Sequence, residues 1–180
     1  MSKDKNFIRI NNMILSALLA ALITVMTAFV KFNTGINNGY MHFGDSLIYL
    51  AACLIPTPYA AVSAALGGAF ADLLAGAAIW APFTAVIKAV NALTVSLIIR
   101  LKINRKKERI LSPASASASV ISGLVTVFGY LLTEGLLYSF PTALTSVPFS
   151  IVQALGSTVV FVLAAAALDK IKFKQKYMRG

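Results

Sequence analysis

Apolar residues in this chain fall into long blocks, not into the alternation of a half-buried strand or the single stripe of a soluble helix. A helix needs about 20 mostly apolar residues to cross the hydrocarbon core of a bilayer. The blocks predict six membrane spans, at about residues 13–31, 42–55, 59–79, 82–100, 114–134 and 149–168. The second is the awkward one. Its apolar part, Ser46 to Ile55, is short, and extending it outward takes in His42, Gly44 and Asp45. The pattern predicts a short helix with a polar outer end, joined to a partly buried loop. Pro56-Thr57-Pro58 then makes a tight inner turn, because proline ends one helix and can open the next. A loop holding Tyr138, Pro141 and Pro148 leads into the sixth span. A basic start before an apolar block is also the pattern of a cleavable signal peptide. The first block is long for that, and the later ones are equally apolar. With no long polar stretch to divide it, the chain reads as a single transmembrane domain over 1–180.

Composition explains why lipid is the required solvent. Apolar residues make up 58% of the 180 and charged ones 12%, with a mean hydropathy of +0.81. A soluble domain carries about 25% charged residues, and one this small has too much surface for its volume to hide so many apolar side chains. The predicted class is therefore an all-α integral membrane bundle.

Charge adds an orientation. The net charge of +10 would suggest nucleic acid on a soluble protein. Here 14 of the 16 basic residues sit in three short segments: Lys3 to Arg9, Arg100 to Arg109, and Lys170 to Arg179. Six spans put all three segments on one side, and the opposite loops carry almost no Lys or Arg. Span count and positive-inside bias therefore agree, with both termini cytoplasmic. The clusters lack interleaved aromatics or a reader module, so they predict no nucleic-acid role.

Against this background, ionisable residues within spans stand out, since a lone charge in lipid is costly and normally faces a partner or a cavity. Asp45, Asp72, Lys88 and Glu134 all fall toward the predicted outer half. An ion pair of Lys88 with Asp72 or with Asp45 and a charge lining a ligand cavity are both open, and the two are compatible. Tyr130 and Glu134 are four apart on one helix face, Asn91 lies a turn below Lys88, and Gln153 opens the sixth span. Trp80, Tyr40, His42 and Tyr138 fall in or near outer loops. Rings with a few polar groups suit a flat heteroaromatic ligand, while Trp80 and Tyr138 taken singly also fit an interfacial aromatic belt. His42 is expected as a hydrogen-bonded loop residue and not as a metal ligand. Cys53, the only cysteine, excludes an intramolecular disulfide and a cysteine metal cage. Small residues on the first span (Ala17, Ala20, Ala21 and Thr24, with Ser16 alongside) permit close helix approach, either within the bundle or to a separate membrane subunit.

No P-loop, HExxH or GxSxG sequence is present, so no enzymatic activity and no resident cofactor are expected. Active transport would need a partner that hydrolyses ATP.

Three segments carry a family resemblance: Gly39-Tyr-Met-His-Phe-Gly-Asp45, Ala64-Ala-Leu-Gly-Gly-Ala-Phe-Ala-Asp72 and Ala81-Pro-Phe-Thr-Ala-Val-Ile-Lys88. In these the chain resembles the substrate-specific S components of energy-coupling factor (ECF) transporters, in the riboflavin-type or hydroxymethylpyrimidine/vitamin B6-type branch. The resemblance implies a multi-pass protein of the bacterial plasma membrane that captures a vitamin or precursor from outside. Vitamin B6 or hydroxymethylpyrimidine is expected first, riboflavin second and a queuosine precursor third; the single tryptophan disfavours thiamine. The partners it implies are a transmembrane coupling subunit and two cytoplasmic ATPases, with uptake by toppling of the S component. It implies a pocket of Tyr40, His42, Lys88, Asn91, Tyr130, Glu134 and Gln153, with Asp45 and Asp72 as structural or pocket charges, and a coupling contact at Ala17 and Ala21. The rival expectation is an autonomous secondary transporter or channel, which would carry its solute without ATPases.

Overall fold

The computed structural model describes residues 2–33, 40–101 and 109–177. Lys102, Arg105, Lys106, Lys107 and Arg179 of the basic clusters lie outside them. In chain order the elements are α1 (Ser2–Phe29), β1 (Lys31–Asn33), β2 (Tyr40–His42), α2 (Asp45–Leu54), α3 (Thr57–Leu74), a 3-10 turn (Ala78–Trp80), α4 (Ala81–Leu101), α5 (Pro113–Leu137), α6 (Phe140–Lys170) and the short α7 (Phe173–Tyr177).

The hydrophobic pattern is inside out. Leu18, Leu22, Phe70, Val86, Leu97, Phe128, Leu155 and Leu163 point outward, while Ser63, Thr84, Lys88, Asn91, Ser122, Thr126 and Gln153 are buried. An exposed apolar jacket of this extent is stable against lipid and would aggregate in water. Four of the helical segments are long and apolar enough to cross a membrane: Lys5–Phe29, Ala78–Leu101, Pro113–Leu137 and Phe140–Lys170.

Helix α2 is too short to do so and sits at the centre instead. Eight of its ten residues are buried, as expected of a helix that is apolar on every side. Around it α1 packs on α3, α3 on α4, α4 on α5 and α5 on α6, and β2 bridges α1 and α6. Close approach is built into the Gly67-Gly68 pair. A Cβ on Gly67 would stand 2.8 Å from Ile23 of α1, and one on Gly68 would stand 2.9 Å from Cγ of Lys88 on α4. Without side chains there, α3 meets both neighbours at backbone distance. Side-chain hydroxyls fasten the α1–α3 contact: the Ser16 and Ser63 hydroxyls are 2.8 Å apart, and the Thr24 hydroxyl donates to the Gly67 carbonyl at 3.1 Å.

Four elements differ from the sequence expectation. The outer loop after α1 is an antiparallel hairpin that pairs Lys31 with His42, Phe32 with Met41 and Asn33 with Tyr40. The second helix begins at Asp45, not 42, and the third ends at Leu74, not 79. The sixth begins at Phe140, not 149, so the segment expected as a loop is its first turns. Ser139 caps that helix by accepting from the Thr142 backbone N–H at 3.4 Å, Pro141 lies in the first turn, and Pro148 is carried inside. Proline needs no donor at a helix start, and interior prolines are tolerated in lipid-embedded helices.

Candidate functional site

A cavity of about 50 Å³ lies at the bundle end where α1, α3 and α5 finish and α2, α4 and α6 begin. This is the end opposite Lys5, Arg9, Arg100, Arg109 and Lys170. Hairpin residues Tyr40, Met41 and His42 form one wall. Asp72, Trp80 and Thr84 come from the α3–α4 corner, Tyr130 and Glu134 from α5, and Ser146, Phe149, Ser150 and Gln153 from α6.

The hairpin is held by its own side chains. The Tyr40 hydroxyl donates to Asp72 Oδ1 at 2.5 Å, and Lys31 Nζ stands 5.0 Å from the centre of the Tyr40 ring. Burial, reinforced by the charge of Asp72, raises the Tyr40 pKa, so the phenol keeps its proton and remains a donor. His42 is buried, and burial together with the positive charge of Lys88 holds its pKa down to about 3 against a smaller opposing pull from Asp45. The ring is therefore neutral at physiological pH. Its Nδ1 accepts from the Gly44 backbone N–H at 3.1 Å, which leaves the proton on Nε2.

Behind the wall runs a buried polar chain. Lys88 Nζ pairs with Asp45 Oδ1 at 2.6 Å, both residues being at most 1% exposed. Asp45 Oδ2 accepts from Gln153 Nε2 at 3.2 Å and from the Thr126 hydroxyl at 3.3 Å. Asn91 Nδ2 donates to Thr126 at 2.8 Å, and Gln153 Oε1 accepts from the His42 backbone N–H at 3.3 Å. Lys88 also stands 5.1 Å from the centre of the Tyr130 ring, whose other contacts are an edge-on Trp80 at 6.1 Å and the Thr84 hydroxyl at 3.3 Å. A buried ion pair persists only when its remaining lone pairs and protons are hydrogen-bonded; Thr126 and Gln153 do this for Asp45.

Of the residues singled out from sequence, Tyr40, His42, Tyr130, Glu134, Gln153 and Asp72 meet in the cavity wall. Lys88, Asn91 and Asp45 form the layer beneath it. Between the two pairings left open for Lys88, the structure has Asp45. Trp80 is only 5% exposed and packs in the wall rather than in an interfacial belt, whereas Tyr138 is 44% exposed with its ring 6.2 Å from that of Trp80. Met41, Thr84, Ser146, Phe149 and Ser150 were not singled out. Thr84 had a readable signal, lying one helical turn from Lys88 on the same face; Ser146 was hidden in the supposed loop. Ala17 and Ala21 are exposed on α1, away from the face that Ser16, Ile23, Thr24 and Thr27 bury.

A family model described as "ECF-type riboflavin transporter, S component" matches residues 7–170. The chain belongs to that family. S components are the substrate-binding subunits of ECF transporters, working with transmembrane and ATPase components, and they are transport proteins and not enzymes. This S component is also similar to a protein of Pyrococcus woesei named "Uncharacterized protein in gap 3'region". The two are 31% identical over 138 residues, which cover 77% of this chain and 88% of the relative.

Proposed function

We propose that this S component captures a small heteroaromatic micronutrient from outside the cell and delivers it inward with a transmembrane coupling subunit and two cytoplasmic ATPases. The observation that carries this reading is the cavity itself: Tyr40, Trp80, Tyr130 and Phe149 bring rings, and His42, Asp72, Glu134 and Gln153 bring hydrogen-bonding groups, all at the end away from the basic segments. Stacking rings with a few convergent polar groups are what a flat heterocycle needs for affinity and orientation. With the basic ends in the cytoplasm, this cavity would open outward. The exposed Ala17 and Ala21 support α1 as the face offered to the coupling subunit.

Vitamin B6 or hydroxymethylpyrimidine is the first choice of substrate. The family description favours riboflavin, which is the second. Either ligand requires the wall to widen, since sites for small molecules occupy roughly 300–1,000 Å³.

Mass spectrometry of small molecules released from the purified protein tests the reading. The expected result is a vitamin-like heterocycle at close to one per chain, with uptake that stops when the ATPases are deleted. Uptake by this chain alone would instead establish an autonomous transporter.

A further inference from the structure

The central helix α2 is fastened at both ends, and its inner fastening comes from the tail of the chain. Its ladder closes with the Ile55 N–H on the Ala51 carbonyl. Pro56 and Pro58 supply no backbone N–H, and the chain turns into α3 at Thr57, so the last carbonyls of α2 lie beyond that ladder. Lys174 Nζ, on α7, donates to the Cys53 carbonyl at 2.9 Å. An ammonium group there also meets the negative end of the helix dipole. The tail reaches this point through a turn at Lys172, whose φ is 54°, just beyond the Asp169 carboxylate that holds the Ile110 and Leu111 N–H groups.

From the outer end of α2, a line of contacts runs into the cavity wall. Ten helical residues set the two ends about 15 Å apart. Eight of them are buried, and a close-packed interior passes a displacement on instead of absorbing it. Asp45 holds Lys88 of α4, Thr126 of α5 and Gln153 of α6. Gln153 in turn holds the His42 backbone N–H of the hairpin. Lys88 lies against the Tyr130 ring, whose edge-on neighbour is Trp80.

Resting on the function proposed above only for the use of the cavity, we infer that Lys174 is a positioning residue for the cavity wall. By holding the inner end of α2 it sets where Asp45 stands, and through Asp45 it sets the packing of His42, Tyr130 and Trp80. The tail and the cavity are thereby coupled across the bundle, and a tail drawn off α2 slackens the wall at the other end.

Trp80, the only tryptophan, reports on the wall from the end opposite Lys174. The full-length protein is measured in lipid nanodiscs, without added ligand and well below its melting temperature. Lys174→Met is expected to red-shift the Trp80 emission and to raise its quenching by acrylamide at least about twofold. Lys174→Arg keeps a cationic donor and is expected to restore both to the parent values. Parent-like emission in Lys174→Met overturns the inference, and so does an arginine variant as altered as the methionine one. If Lys174→Met does not fold, the reverse direction decides. A nitroxide at Lys176→Cys in a Cys53→Ala background reads the tail; the acceptor is the backbone carbonyl of residue 53, so alanine preserves it. Gln153→Ala breaks the line at its outer end and is expected to shorten the rotational correlation time of that label at least about twofold. Leu155→Ala, facing outward on the same helix, is expected to leave it unchanged. A label unmoved by Gln153→Ala, or moved equally by both variants, overturns the inference. No ligand enters these measurements, so vitamin capture stands or falls separately, on the mass spectrometry.

Discussion

Lys88 shows how one residue can be indispensable without touching the cavity. Its stem passes Gly68 where a methyl group would already crowd Cγ, and its ammonium ends 2.6 Å from Asp45. Replacing it by methionine keeps the stem and strands a buried carboxylate whose other supports, Thr126 and Gln153, are neutral. Breaking one side of a buried pair costs roughly 3–5 kcal/mol, whereas replacing both sides is often neutral. Lys88→Met is therefore expected to lower the melting temperature sharply, and the double variant Asp45→Asn/Lys88→Met to recover most of the loss. A single variant as stable as the parent would remove the structural role given to this pair. The residue pattern made the cost of these charges legible. It could not show which acid Lys88 chooses, because that depends on how α2 sits inside the ring of helices.

At the level of elements, the long apolar blocks located α4 and α5 to within a few residues, whereas α1 begins at Ser2, well ahead of the expected 13, and the short α2 was evident from Pro56 and Pro58. What escaped was chemistry that the apolar pattern does not record. Ser139 followed by Pro141 is a helix start, since the serine caps and the proline needs no donor. Reading the two prolines as breakers delayed α6 by nine residues, and with it the placement of Ser146. The hairpin pairs only three residues on each strand and depends on α1, α3 and α6 for support, so it left no alternation long enough to detect. Helix α1 separates its faces cleanly. Ser16 and Thr24 fasten it to α3, while Ala17 and Ala21 face outward. Ala17→Trp is accordingly expected to leave ligand affinity of the isolated protein within about twofold while weakening its co-purification with the coupling subunit at least tenfold. Undiminished co-purification would move that contact to another helix.

For the whole molecule, orientation links the cavity to its role. The only native cysteine, Cys53, is buried, so its replacement by alanine gives a background for site-directed labelling. In intact cells, a membrane-impermeant maleimide is expected to label Ala78→Cys, at the cavity end, and to label Arg109→Cys only after the membrane is opened. Both positions are exposed. The reverse pattern would turn the cavity toward the cytoplasm and exclude capture from outside.

The carboxylate of Asp169, near the end of α6, accepts from the backbone N–H groups of Ile110 and Leu111 at 2.8 and 2.9 Å, just ahead of α5. That clasp ties the end of α6 to the segment that leads into α5. Force applied to either one is shared with the other, and a chain shortened to end before this aspartate would leave the start of α5 untethered.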